Sequence, residues 1–162
     1  MSAAFVLAKF ADSEKLVPAI DRLQHCPPVK SWDAVDGHVH LVLRVDSSAS
    51  ALPDDLVRLS GVAQMTAYDI VNVDPRTAPA SDEAKAYLFI DTDPVRKDSI
   101  MTNIRSLSET VCCTSVKGGC DLVAMVKGET ISALERTIDE KIRPMDGVLR
   151  LKHNHVIDLK QL

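Results

Sequence analysis

The chain has 162 residues, of which 46% are hydrophobic, 26% charged and only 4% aromatic, so a mostly aliphatic core in one medium domain or two small ones is expected. The net charge of −4 argues against a surface that binds nucleic-acid phosphates. The short apolar start is neither a secretory signal nor a membrane span, which predicts a cytoplasmic protein with reduced cysteines.

The first half of the chain is predicted to form four strands and two helices. In chain order these are a strand Ala4–Phe10, a helix near Leu16–Leu23, a hairpin around Asp36–Gly37, a short helix Pro53–Ser60 and a strand Val62–Val73. Pro18 lies inside the first helix, so this helix is expected either to begin near Val17 or to kink.

The second half repeats this order with clearer signals. Asp93 is predicted to cap a helix that begins at Pro94, and Thr130 to cap a second one. The expected strands are Ala86–Asp91, Val111–Val116, Leu122–Val126 and Val148–Leu159. The last strand would place Leu149, Leu151, His153 and His155 on one face.

Three sequence blocks occur twice in the same order. "AFVLAKF" matches "AYLFIDT", "VDGHVHLVLRV" matches "VKGGCDLVAMV", and "GVAQMTAYDIV" matches "GVLRLKHNHVI". The segment "VDPRTAPASDEAK" joins the copies. The repeat predicts a first domain over residues 1–73, a linker over 74–85 and a second domain over 86–162.

Each copy has the order strand, helix, strand, strand, helix, strand. This order is typical of a ferredoxin-like fold, in which two helices cover one face of a four-stranded antiparallel sheet. The uncovered face needs a partner, because large exposed apolar patches are rare. We therefore expect an α+β protein of two tandem ferredoxin-like repeats whose sheets pack face to face, within or between chains, as in an α/β barrel.

The second half resembles a known family. The segment from "AYLFIDTDPVRKDSIMTNIRSL" to "SVKGGCDLVAMV" and "LERTIDEKIRPMDGVLRLKHNHVI" is similar to the ligand-binding (RAM) domain of Lrp/AsnC-type regulators. The resemblance implies a module that binds an amino acid or related metabolite, forms oligomers and takes part in transcription regulation. Family regulators carry a helix-turn-helix before this domain, whereas here the first strand begins by Ala4.

The leading hypothesis is therefore a stand-alone sensor without its own DNA-binding domain and without enzyme activity or a cofactor. Its expected partners are a small-molecule effector, further copies of the chain and possible full-length regulators of the same family. Two other hypotheses stay open. One is a dimeric α/β-barrel enzyme with histidines inside the barrel, and the other is a maturation chaperone that binds peptides by strand addition.

By the resemblance, the effector site lies at the hairpin of "SVKGGCDLVAMV". Asp121 would receive the ammonium group of the ligand, and the backbone N–H groups of Gly118 and Gly119 would meet its carboxylate. The site residues are Ser115, Gly118, Gly119 and Asp121, with Asp36, Gly37 and His40 at the matching positions of the first copy. In the alternative, the glycines only turn the chain and Asp121 pairs locally.

Two His-x-His motifs raise the possibility of a metal site. His38 and His40, like His153 and His155, are spaced to share one face of a strand, and Cys112 or Cys113 would supply a further ligand. Neither motif has the spacing of a known zinc signature, so histidines that face solvent are the simpler interpretation and no metal is assigned.

Overall fold

The computed structural model describes residues 3–76 and 83–157, without the side chain of Ser13. The predicted linker therefore lies partly outside the described residues, as does the predicted end of the last strand. The described strands are β1 (Ala4–Phe10), β2 (Val29–Ala34), β3 (Leu41–Val45), β4 (Val62–Asn72), β5 (Ala84–Thr92), β6 (Thr110–Lys117), β7 (Leu122–Gly128) and β8 (Val148–His155). The described α-helices are α1 (Leu16–Leu23), α2 (Asp54–Val57), α3 (Lys97–Ser106) and α4 (Ile131–Thr137).

The chain divides into two compact units. The first contains the described residues up to Ile70 together with Ile157, and the second contains those from Val71 to Val156. Each has the ferredoxin-like order βαββαβ, so the predicted fold class is confirmed. The face-to-face packing of two sheets and the exact domain limits stay predictions.

The first unit is an antiparallel sheet in the order β2-β3-β1-β4. Alternation along β1 places Ala4, Val6 and Ala8 on one face, where they belong to the same buried cluster as Ile20 of α1 and Leu56 of α2. Removing one valine, leucine or isoleucine side chain of this cluster from water contributes about 1.5–3 kcal/mol, so this burial holds the two helices against the sheet.

The second unit repeats this design in the order β6-β7-β5-β8. Leu88 and Ile90 of β5 are fully buried against the two helices of this unit. The helix residues of this core are Ile100 and Ile104 from α3, Leu134 from α4, and Ile138 and Ile142 from the π-helical segment Ile138–Ile142 that continues α4.

Pro18 lies close to the start of α1, as the first of the two expectations requires, because the α-helix begins at Leu16, one residue from Val17. It is the third residue of Leu16–Leu23, in the first turn, where a backbone N–H has no partner within the helix. The predicted role of Asp93, in contrast, is wrong. Its carboxylate accepts a hydrogen bond from the N–H of Val95 at 3.0 Å, and α3 begins later with Arg96 as its N-cap.

Strand β8 carries the second His-x-His motif on the face that the helices cover. His153 and His155 pair with Leu88 and Ala86 of β5, which point into the helix-covered core. Leu149 departs from the prediction, because the β5–β8 register shifts at its end of the strand and leaves its side chain 70% exposed. The histidines of β8 therefore do not line the opposite face, where a barrel interior would lie.

Candidate functional site

The predicted effector hairpin connects β6 and β7. Asp121 is held by three hydrogen bonds: its N–H donates to Ile90 O at 3.0 Å, its carbonyl accepts from Val116 N at 3.0 Å, and its Oδ2 accepts from Thr92 N at 2.9 Å. Gly118 has a φ of 156°, which side-chain-bearing residues rarely adopt. The carboxylate therefore fastens the hairpin to the end of β5.

The other two residues of this predicted site differ in their exposure. Ser115 is 5% exposed and pairs with Leu122 across the ladder. Gly119 is exposed and does not have a positive φ. The backbone of Gly118 and Gly119 at the tip of the hairpin is therefore exposed to solvent, whereas the hydroxyl-bearing Ser115 on β6 is buried.

The first unit makes the same three bonds with a different side chain. The N–H of His40 donates to Ala8 O at 2.9 Å, its carbonyl accepts from Val35 N at 2.9 Å, and its Nδ1 accepts from Phe10 N at 2.9 Å. Histidine thus replaces aspartate as the acceptor. The remaining predicted residues of this copy, Asp36 and Gly37, are exposed in the turn.

The structure brings together one group that the sequence showed only in part. Oε1 of Glu135 lies 3.0 Å from Nε2 of His153 and 2.5 Å from Nε2 of His155. The two imidazole rings are perpendicular, with their centroids 5.4 Å apart. All three side chains are partly exposed, at 34% for the glutamate and 28% and 19% for the histidines. We call these residues the Glu-His-His cluster.

Secondary structure explains the convergence. The two histidines are alternate residues of β8 and therefore point the same way, and Glu135 lies on α4, which packs over that face. Burial raises the pKa of Glu135, but the hydrogen bond from His155 and the charge of the neighbouring imidazoles outweigh it, so the pKa lies below its usual value. The carboxylate stays ionised and can hold a proton donor or a cation.

The other candidate metal ligands do not join this cluster. His38 is exposed in the β2–β3 turn, and His40 is engaged by the backbone of Phe10. Among the described residues, the group with suitable metal-ligand spacing contains no cysteine. Burial raises the pKa of the Cys113 thiol to about 12, as it does for Cys120, so both thiols stay protonated.

A second charged group anchors the chain that follows β4. Asp74 is 4% exposed and receives hydrogen bonds from Arg76 Nη2 at 2.6 Å and from the N–H of Cys113 on β6 at 3.0 Å. Arg105 lies 3.6 Å from the same Oδ2 atom and donates to Cys113 O at 2.9 Å. Burial raises the pKa of Asp74, but the hydrogen bonds from Arg76 and Cys113 outweigh it and lower that pKa to about 2.

None of the described helices has the length and apolarity needed to span a bilayer. No curated protein matches the sequence significantly. The family model of the Lrp/AsnC ligand binding domain matches residues 85–159.

Solved structures match over two different ranges. The siroheme decarboxylase NirDL shares the fold over 96% of this chain and 71% of its own, with a TM-score of 0.77 and 12% identity. A putative monooxygenase from Lactobacillus acidophilus NCFM covers 96% of this chain and 92% of its own, with a TM-score of 0.60 and 9% identity. AsnC of E. coli, by contrast, covers 53% of this chain and 62% of its own, with a TM-score of 0.46 and 16% identity.

These matches correct the expectation that the protein is not an enzyme. NirDL and the Lactobacillus protein, which share the fold over almost the whole chain, carry the names of enzymes, a siroheme decarboxylase and a putative monooxygenase. The earlier expectation was wrong because it extended to the whole chain a resemblance that covers its second half. Residues 85–159 match the family model of the Lrp/AsnC ligand binding domain, which is the resemblance that the sequence predicted for the second half.

Proposed function

We propose that the protein is an enzyme that acts on a small carboxylated molecule, with a tetrapyrrole of the siroheme kind as the first candidate. Two comparisons support this: the ligand-binding family of residues 85–159 and the fold shared with a siroheme decarboxylase. That decarboxylase has also been solved with an iron-uroporphyrin III analogue. Because 12% identity indicates the fold alone, the reactive residues are taken from this chain and not from its neighbour.

The observation that carries the proposal is the Glu-His-His cluster. Two imidazole nitrogens and a carboxylate oxygen converge at one point, and each side chain is partly exposed, so a ligand can reach them from solvent. Ionisable groups held together in this way are commonly functional. We assign Glu135, His153 and His155 as the reactive centre.

The hairpin of the second unit is our second proposed site, for an effector. An amino acid is the candidate ligand, because exposed glycine N–H groups at Gly118 and Gly119 suit its carboxylate and Asp121 suits its ammonium group. The hydrogen bond from Thr92 engages Oδ2 of Asp121. The same proposal covers Ser115, and in the first unit Asp36, Gly37 and His40.

Assembly and location follow as further parts of the proposal. Domains of this family suggest that the chain forms homo-oligomers and combines with related full-length regulators. We also propose a cytoplasmic location, in keeping with cysteines at positions 26, 112, 113 and 120 that form no disulfide bond.

The test is a direct assay with siroheme and iron-uroporphyrin III. Absorbance titration measures binding, and mass spectrometry of the extracted pigment detects the loss of one carbon dioxide for each carboxylate removed. We expect turnover by the wild-type protein and its loss in Glu135→Gln and His153→Asn. His25→Ala is the matched control, since this exposed histidine lies in the first unit and bonds to Asp21 O. Pigment unchanged by the wild-type protein would contradict the proposal.

A further inference from the structure

We infer that the Glu-His-His cluster binds a divalent transition-metal ion such as Zn²⁺, Co²⁺ or Fe²⁺. This inference deepens the proposed function, because it names what the reactive centre holds. It rests on geometry that can be tested without any substrate.

The first argument is the spacing of the ligand atoms. Metal–nitrogen and metal–oxygen bonds of about 2.0–2.2 Å place neighbouring ligand atoms roughly 3 Å apart. Nε2 of His153 and Oε1 of Glu135 are 3.0 Å apart, and Nε2 of His155 lies 2.5 Å from the same oxygen. All three ligand atoms lie within 4.8 Å of one another. Small side-chain rotations therefore suffice to surround one ion.

The second argument is that the ligands come from rigid elements. His153 and His155 belong to β8, whose neighbouring Leu151 is buried and whose backbone pairs with β5. Glu135 follows Leu134, a fully buried residue of α4. Ligands whose backbones are fixed by packing lose little freedom on binding, which favours a metal site.

The third argument is the chemistry of the donor set. Imidazole suits zinc, copper, iron and nickel, whereas magnesium and calcium take oxygen ligands. Two histidines and one carboxylate leave coordination positions open for water or a substrate oxygen, as catalytic metal sites do. The partial exposure of all three side chains leaves these positions open to solvent.

The test uses the full chain purified without a polyhistidine tag and stripped with a chelator. Calorimetry with ZnCl₂, and the visible spectrum with CoCl₂, measure stoichiometry and affinity in the absence of tetrapyrrole. We expect one ion per chain, bound at least about tenfold more weakly by Glu135→Gln, His153→Asn and His155→Asn, since even outer-shell changes produce losses of that size. His25→Ala is expected to bind like the wild type.

The possible results distinguish the metal site from the tetrapyrrole proposal. No binding by the wild type, or equal binding by a triple variant that circular dichroism shows to be folded, would overturn the metal site. Binding at the cluster with no conversion of pigment would support the metal site and leave the tetrapyrrole proposal contradicted. Conversion that is unchanged in the metal-stripped protein would support the substrate and overturn the metal as part of the reactive centre.

Discussion

Oδ2 of Asp121 accepts a hydrogen bond from the backbone N–H of Thr92 at 2.9 Å, and Nδ1 of His40 accepts the matching bond from Phe10 in the first unit. Thr92 is buried, so its N–H has little access to water as an alternative acceptor. The hairpin position at which the sequence resemblance predicts a ligand contact, Asp121 in one unit and His40 in the other, therefore also serves the fold.

Asp121→Ala is expected to lower the free energy of unfolding by about 1–3 kcal/mol, because it leaves the N–H of Thr92 without its acceptor. Asp121→Asn retains a carbonyl oxygen and should cost less. Urea denaturation of the three proteins measures this order. If both variants unfold like the wild type, the hydrogen bond does not contribute to stability, and the ligand proposal becomes the better account of this aspartate.

The buried Asp74 makes stability depend on pH in the acid range. Its pKa is about 2 in the folded protein, whereas an unperturbed aspartate side chain has a pKa of 3.8, so folding favours the charged form. The contribution, about 2 kcal/mol, is present above pH 4 and is lost as the pH falls towards 2. We expect thermal stability to drop over that interval, and Asp74→Asn to remove part of the drop. A pH profile that this substitution leaves unchanged would contradict the assignment.

Local sequence patterns predicted the helices and strands, whereas packing between elements brings the Glu-His-His cluster together. The nearly continuous apolar run "AFVLAKF" predicted the bounds Ala4–Phe10 of β1, and Thr130 was identified as a cap because side-chain capping acts over three residues. The pairing of Glu135 with β8 could not be read in this way. It depends on how α4 crosses the sheet, because Glu135 is separated from the two histidines by 18 and 20 positions in the sequence, beyond the reach of any local pattern. The sequence signal for that site was the His-x-His spacing alone.

Gly147 and Arg96 of the second unit approach each other closely. Gly61 and Lys15 make the equivalent contact in the first unit. A Cβ at Gly147 would lie 2.9 Å from Cβ of Arg96, and its φ is +100°. Gly147→Ala is therefore expected to lower the free energy of unfolding by about 1–3 kcal/mol. Gly119→Ala, at an exposed position without a positive φ, is the control and should change it little. Equal unfolding midpoints in urea for the two variants would argue against this strain.

Thr130 begins the helix that carries Glu135. Its Oγ1 accepts a hydrogen bond from Ala133 N at 3.1 Å, which satisfies one of the backbone donors left free at the start of α4. Thr130→Ala should reduce the free energy of unfolding by about 1 kcal/mol, whereas Thr130→Ser retains the acceptor and most of the stability.

Thr102→Ala provides the matched control for this prediction, because Thr102 is exposed within α3 and its hydroxyl donates to Asp98 O without capping the helix. Urea denaturation of the four proteins separates loss of the cap from loss of a threonine methyl group. A Thr102 variant as unstable as the Thr130 variant would show that the cap has no special role. A selective loss at Thr130 would show that this hydroxyl fixes the N-terminal end of α4, the helix that carries Glu135.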